Sequence, residues 1–471
     1  MIQLRRVVDV AEVLGVVIAG SVVLLFVNDY FSSSGEIYFG TNSESLMQTM
    51  PAAMLKAEPL ASIFFNHIQP PLFDSLRALI AAFWSSGSTS LVEFVDLGIY
   101  GLYVLLFGGL SGLIFVWIRK ATESRACAWV SVLIWVIHPS PISMATFLDG
   151  TFLSSVLITW MIYEIWLIDK TEGSSIRLGV VASLCFLTRA HFQWFFAPVL
   201  AVALLFLGIN RRRIFPALAV LIFVIGLYCA KQFLLFGTVS SYGFYGEKLT
   251  SLFWIEEVGT LTNNNYQTVC DGMRMKNRTG CRDYFAARFP KEMIELKIKY
   301  PESAKAVSGG FNNEDRWWLS HIHSRIAKEQ CRTDFGYCVK SLLRSVTQNF
   351  PEYWVETWDR SNPVVADDGG LPWIKAYVRV AHNYPFLIVC AGVVLIIRLT
   401  STRKLSHARK AFSVSIVPLY VFSVTLLGNT YDAFEGGRLK FLLEPAIFIF
   451  IVIQVFHAVR YISIGSKQDS S

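Results

Sequence analysis

VEFVDLGIYGLYVLLFGGLSGLIFVWI, residues 92–118, is closed by Arg119 and Lys120. Its only charges, Glu93 and Asp96, sit at its start, and from Leu97 to Ile118 there is none. About 20 apolar residues are enough to cross the hydrocarbon of a bilayer as a helix. The stretch therefore reads as a membrane span that ends on cations, and the rest of the chain can be tested for the same pattern.

The chain has 471 residues, 54% hydrophobic and only 16% charged, with 36 Phe and 13 Trp. A soluble domain carries about a quarter charged residues. The profile is that of an all-α polytopic membrane protein. Ten spans are expected, over 10–27, 92–118, 126–143, 148–168, 175–189, 192–209, 214–236, 383–399, 411–428 and 441–459. The first of them lacks a clear small-residue cleavage pattern and reads as a retained anchor rather than a signal peptide. Two short helices meeting near Arg189 and His191 are expected to make up 175–209.

The basic residues give the span order a direction. Arg5 and Arg6, then Arg119, Lys120 and Arg125, then Lys170 and Arg177, then Arg211, Arg212 and Arg213, then Arg403, Lys404, Arg409 and Lys410 all fall on one side. The positive-inside rule makes that side cytoplasmic. The net charge of +7 is thus a matter of topology, and no nucleic-acid partner is expected.

Three segments are left for the outside. Residues 28–91 follow the first span within an N-terminal membrane core, 1–236. Residues 237–382 form a large segment, expected to fold as a small, mainly helical periplasmic subdomain. Residues 428–441 form a short loop within the C-terminal membrane helices, 383–471. Four of the eight cysteines, Cys270, Cys281, Cys331 and Cys338, lie in the large segment. An even set there suggests disulfides in an oxidising compartment, with 270–281 and 331–338 the simplest pairing.

The candidate chemistry collects on this outer side: Glu36 and Tyr38, then His67, Gln69 and Asp74, then His138 and Asp149, Arg189 and His191, and finally Asp432, Glu435, Arg438 and Lys440. Each also has a plain structural reading. Glu36 fits a solvated loop, Pro70-Pro71 a rigid turn that opens a helix, and His138 and Asp149 turn and cap positions. Arg189 fits a side chain snorkelling to headgroups, and Glu435 with Arg438 an interfacial ion pair. Read functionally, a carboxylate is a general base and a guanidinium suits a phosphate. His321 and His323 stand two apart and do not share a helix face, so no metal site is read there. The rings of Trp317, Trp318, Trp354 and Trp358 either stack on a sugar acceptor or pack the subdomain's core.

These elements, in this order, resemble the GT-C superfamily of membrane glycosyltransferases, which includes protein O-mannosyltransferases and lipid A aminoarabinose transferases. SSSGEIYF (32–39) stands where the family carries an acidic residue after its first span, and IQPPLFD (68–74) is similar to its PPL-type stretch. FLTRAHF (186–192) looks like its Leu-Thr-Lys/Arg element, and FEGGRLKFLLEP (434–445) like its acidic-x-x-Arg element. The resemblance implies a polyprenyl-phosphate sugar donor and transfer, with inversion, to a glycan, lipid or protein at the periplasmic face of a bacterial inner membrane. Glu36 is then the catalytic base, with Asp29 the second choice. Arg189, Arg438, Lys440, Gln69 and Tyr38 would hold the donor phosphate, and His67, Asp149, Asp432 and Glu435 would orient the acceptor. Membrane lipids are expected partners; no cofactor is required, and dependence on a divalent metal is left open. The rival readings are an O-antigen or polysaccharide polymerase or ligase and, outside enzymes, a transporter or flippase.

Overall fold

The computed structural model describes residues 2–31, 42–44, 49–86, 89–170, 172–189, 192–241, 289–301, 314–341, 343, 442 and 444–468. They fold as helices: α1 (Ile2–Phe31), α2 (Ala52–Ala57), α3 (Pro59–Phe64), α4 (Leu72–Ala82), α5 (Leu91–Thr122), α6 (Arg125–Val136), α7 (Pro139–Thr146), α8 (Gly150–Asp169), α9 (Ser175–Thr188), α10 (Phe196–Phe206), α11 (Arg211–Phe236), α12 (Pro290–Lys299), α13 (Glu314–Thr333) and α14 (Glu444–Gln468). The expected spans at 383–399 and 411–428 lie outside the described residues.

The helix starts follow from local chemistry. The first amide hydrogens of a helix have no intrahelical partner, so a short polar side chain that accepts from them fixes the start. Ser90 accepts from the amide of Glu93, Ser124 from that of Cys127, Ser174 from that of Arg177, and Asn210 from that of Arg212. Asp149 does the same for Thr151 at 2.8 Å.

Among the described residues, four stretches are long and apolar enough to cross a membrane: Asp9–Asp29, Leu91–Thr122, Gly150–Asp169 and Arg211–Phe236. The segment read as one span over 126–143 is bent: two helices, Arg125–Val136 and Ser140–Thr146, meet at 57° and together are long and apolar enough to be one broken span. The break falls at His138-Pro139-Ser140-Pro141, where prolines supply no amide hydrogen to continue the ladder. Ser175–Thr188, Phe196–Leu205 and Glu444–His457 are apolar but shorter. The expected pair of short helices within 175–209 is present, parted between Arg189 and Phe195.

Helix α8 is the centre of the bundle and is buried along nearly its whole length. Helix α1 packs tightly on α5, where Gly20 faces Ser111, while Gly108 and Gly112 face Val17. Ser21 donates to the carbonyl of Val104 at 3.0 Å across this contact. Small residues let two backbones approach this closely, as they do between membrane helices generally. Gly179 of α9 fits against the backbone of Ala217 of α11 in the same way.

Polar groups are sorted to the two ends of the bundle. At one end Arg119 pairs with Asp9 and Glu12, Arg125 with Glu12, Lys120 with Glu172, and Arg177 with Glu164. Lys120 holds the Glu172 carboxyl below its usual range. The other end carries the turn at Asn66–Pro71, the start of α8, the end of α9 and the end of α11. There Trp317 and His321 of α13 both meet the last carbonyl of α11, that of Phe236, at 2.7 Å. Cys331 and Cys338 form a disulfide, one of the two pairings expected; Cys270 and Cys281 lie outside the described residues. Trp317 and Trp318 are each 1% exposed and pack inward, which agrees with the second of their two readings, packing. Trp354 and Trp358 lie outside the described residues.

Candidate functional site

The site is built on the turn that precedes α4. Asn66 folds this turn by accepting from the amides of Ile68 and Gln69 at 3.0 and 3.3 Å. Pro70 and Pro71 then fix the backbone, and Pro71 is the residue before the first turn of α4. Proline suits that place because a helix start has no use for its missing amide hydrogen. Asp74, in the first turn, is 2% exposed and accepts from Asn66 Nδ2 at 3.1 Å, from Arg77 Nη1 at 2.8 Å and from the amide of Met50 at 3.4 Å. Burial pushes the Asp74 carboxyl above its usual range, and the Arg77 guanidinium pulls the other way.

Arg77 is fully buried and also donates to the carbonyl of Met50 at 2.6 Å. Ser43 is tied to Asp96 of α5 through both its amide, at 3.0 Å, and its hydroxyl, at 2.5 Å. Residues 42–44 and 49–50, which flank the stretch after the first span, are thereby fastened to α4 and α5.

Asp149 and Arg189 supply the second buried pair. Asp149 is 1% exposed and Arg189 7%, and Oδ2 of the one lies 2.8 Å from Nη2 of the other. Thr151 donates its hydroxyl to the same oxygen at 2.6 Å and meets the guanidinium as well. Tyr103 of α5 donates to the carbonyl of Asp149. The Nε of Arg189 is buried with no hydrogen-bond partner among the described residues. A buried donor left open is costly, on the order of 1–3 kcal/mol. A ligand acceptor would remove that cost.

Between these two pairs lies a small pocket of about 30 Å³, open to solvent and lined by Thr49, Gln69, Pro70, Phe73, Asp74, Asp149, Gly150, Thr188 and Arg189. Its outer wall is braced from α11. Tyr228 reaches the carbonyls of Gln69 and Ser241 at 3.3 and 3.2 Å, and Gln232 donates to the Tyr228 hydroxyl at 2.7 Å. Lys231 donates to the carbonyl of Asn66 at 2.9 Å. His67 is buried with its ring against Phe236, centroids 5.2 Å apart.

The structure thus brings together four of the residues singled out from sequence: Gln69, Asp74, Asp149 and Arg189. It places His67 behind the pocket wall. Asp29 is exposed in the last turn of α1 and does not line the pocket. Glu36, Tyr38, His191, Asp432, Glu435, Arg438 and Lys440 lie outside the described residues. His138 is buried at the α6–α7 break, 3.5 Å from Glu444 of α14, which also accepts from the Ser140 hydroxyl at 2.6 Å. Among the described residues no group of His, Cys, Asp and Glu side chains is arranged to hold a metal ion.

Thr49, Asn66, Arg77, Tyr103 and Tyr228 were missed by sequence reasoning. A signal existed for Arg77: a lone arginine in an apolar helix, three positions after Asp74, is on the same face and in pairing distance. Tyr103 and Tyr228 carry no such signal among the many aromatics of this chain.

The chain matches no family model, no curated protein and no solved structure.

Proposed function

We propose that the chain is an inverting membrane glycosyltransferase of the GT-C type, with a polyprenyl-phosphate sugar as donor and a glycan, lipid or protein as acceptor. Its ten spans would set the pocket at the periplasmic face of a bacterial inner membrane, with the outer segment 237–382 above it. The observation that carries this reading is the buried Nε–H of Arg189, which has no hydrogen-bond partner among the described residues and belongs to a residue lining the pocket, at the end of the bundle opposite Arg119, Arg125 and Arg177. A guanidinium held by one carboxylate keeps further donors for a second anion, and guanidinium–phosphate bonds are charge-assisted. Apolar surfaces at the same end suit the prenyl tail.

In the reaction, the acceptor oxygen attacks the anomeric carbon while the bond from that carbon to the phosphate oxygen breaks. Polyprenyl phosphate leaves with the electron pair, and Arg189 stabilises the charge that develops on it. The acceptor proton passes to a carboxylate, Glu36 in this reading and Asp29 as the second choice. Asp149 holds Arg189 in place, and Gln69, on the rigid Pro70-Pro71 turn, faces the donor.

The test is transfer by the full-length chain in reconstituted membranes supplied with polyprenyl-phosphate sugars. Arg189→Lys is expected to raise the donor KM and lower kcat, and Glu36→Gln to abolish transfer with donor binding retained. Full transfer by Glu36→Gln would move the base to Asp29, for which Asp29→Asn is the companion variant. Transfer only from diphosphate-linked oligosaccharides would favour a polymerase or ligase, and a cavity open to both faces a transporter.

A further inference from the structure

The basic end of the bundle contains a cation cluster that no carboxylate of the described residues neutralises. Arg119, Lys120, Arg125 and Arg177 each have a carboxylate within 3.1 Å. Arg211, Arg212 and Arg213 have no carboxylate partner among the described residues, and the first turn of α11 holds no acid. Arg213 is spoken for in part, because its Nη1 donates to the carbonyl of Ile168 at the end of α8 at 3.3 Å. Asp169, the next residue, forms no ion pair with any of the three. Arg211 and Arg212 are exposed.

Two further observations say what should cover them. Phe215, one turn along α11 from the arginines, is 75% exposed, and Leu205, near the end of the preceding helix α10, is 48% exposed, so exposed apolar side chains follow the arginines on α11 and precede them on α10. Helix α11 also has 26 residues. At 1.5 Å per residue it is about 39 Å long, more than the roughly 30 Å of bilayer hydrocarbon. Taking α11 as a membrane-crossing helix, its first turn reaches the headgroup layer, where phosphates are found, and Phe215 lies at the acyl boundary.

We infer that Arg211 and Arg212 form a binding site for the headgroup of an anionic phospholipid, separate from the pocket and at the opposite end of the bundle. The phosphodiester would sit between the two guanidinium groups, and an acyl chain would run past Phe215 along α11. Arg213, anchored on the end of α8, would hold the arginine turn in place. A zwitterionic lipid brings its own cation to the same place and would be disfavoured.

The full-length chain in neutral detergent is titrated with dioctanoyl phosphatidylglycerol and, separately, with dioctanoyl phosphatidylcholine. The wild type is expected to bind the anionic lipid at least tenfold more tightly. Each basic residue near an anionic surface contributes an amount equivalent to roughly fivefold in affinity, so Arg211→Gln/Arg212→Gln should weaken phosphatidylglycerol by about 30-fold. Arg211→Lys/Arg212→Lys, which keeps both charges, should bind within about threefold of wild type and controls for folding. Equal binding of the two lipids by wild type, or unchanged phosphatidylglycerol affinity in the glutamine variant, would overturn the assignment. Displacement by an equal concentration of inorganic phosphate would also overturn it, since the site would then take a free anion rather than a lipid.

Discussion

Asp149→Asn isolates the charge that holds Arg189. Asparagine caps a helix about as well as aspartate, so the bond from the Thr151 amide, 2.8 Å in the wild type, can be kept. What is lost is the countercharge 2.8 Å from a guanidinium whose side chain is 8% exposed. Removing one partner of a buried pair costs about 3–5 kcal/mol, because the remaining charge stays out of water. Since Arg189 keeps slight exposure and the Thr151 hydroxyl, the lower end applies, about 3 kcal/mol. Asp149→Ala also loses the cap and should cost about 1 kcal/mol more. Arg189→Met added to Asp149→Asn removes the stranded cation, so the double variant should recover at least 1 kcal/mol over the single one. The assay is reversible unfolding of the purified chain from mild detergent into SDS, followed by tryptophan fluorescence. Asp149→Asn within 0.5 kcal/mol of wild type would refute the reasoning, as would a double variant no more stable than the single: either result means Arg189 is not a buried cation held by Asp149.

Other consequences can be checked on the same material. A Cβ at Gly108 would overlap the Val17 carbonyl and the Ser21 hydroxyl, whereas one at Gly101 meets nothing within 4 Å. Gly108→Ala should therefore cost about 1–3 kcal/mol by overpacking and Gly101→Ala nothing, measured in the same SDS titration. The Cys331–Cys338 disulfide closes a loop with a separation of 7 residues, for which chain entropy gives about 2.5 kcal/mol. Reductant should lower the melting temperature of the wild type more than that of Cys331→Ala/Cys338→Ala. Burial depresses the His321 imidazole below its usual value of 6.5, with Lys328 and Lys299 adding to the effect. A depressed histidine favours the neutral, folded form, so its contribution is present above about pH 6.5 and fades as pH falls toward the folded pKa. Hydrogen-exchange protection factors in α13, taken relative to the intrinsic rate at each pH, should fall between pH 7.5 and 5.5, and this fall should shrink in His321→Gln, which keeps an amide donor for the Phe236 carbonyl.

The sequence alone was enough for the helical class, the apolar stretches able to cross a membrane, the cap at Asp149 that starts α8, and the turn at Pro70-Pro71. All of these depend on neighbours within a few positions: a run without charge, a capping side chain, a residue with no amide hydrogen. The same local logic marked Asp149 and Arg189 as residues of interest. It left open the bend inside 126–143, which falls at Pro139 and Pro141, and the choice between stacking and packing for Trp317 and Trp318, since burial depends on what covers them.

Only the tertiary structure decided which polar groups meet. Asp149 and Arg189 are separated by 40 positions and become a pair because α8 and α9 pack side by side. Arg77 is a cation buried against Asp74 only once α2 and α5 close over α4. Tyr228 reaches the Gln69 carbonyl across 159 positions, a contact that no spacing rule contains. A helix or a cap is fixed by the chain next to it, whereas a pocket is fixed by the docking of surfaces from distant parts of the chain. That docking is why the open Arg189 donor, on which the proposed chemistry turns, could be seen only in the folded protein.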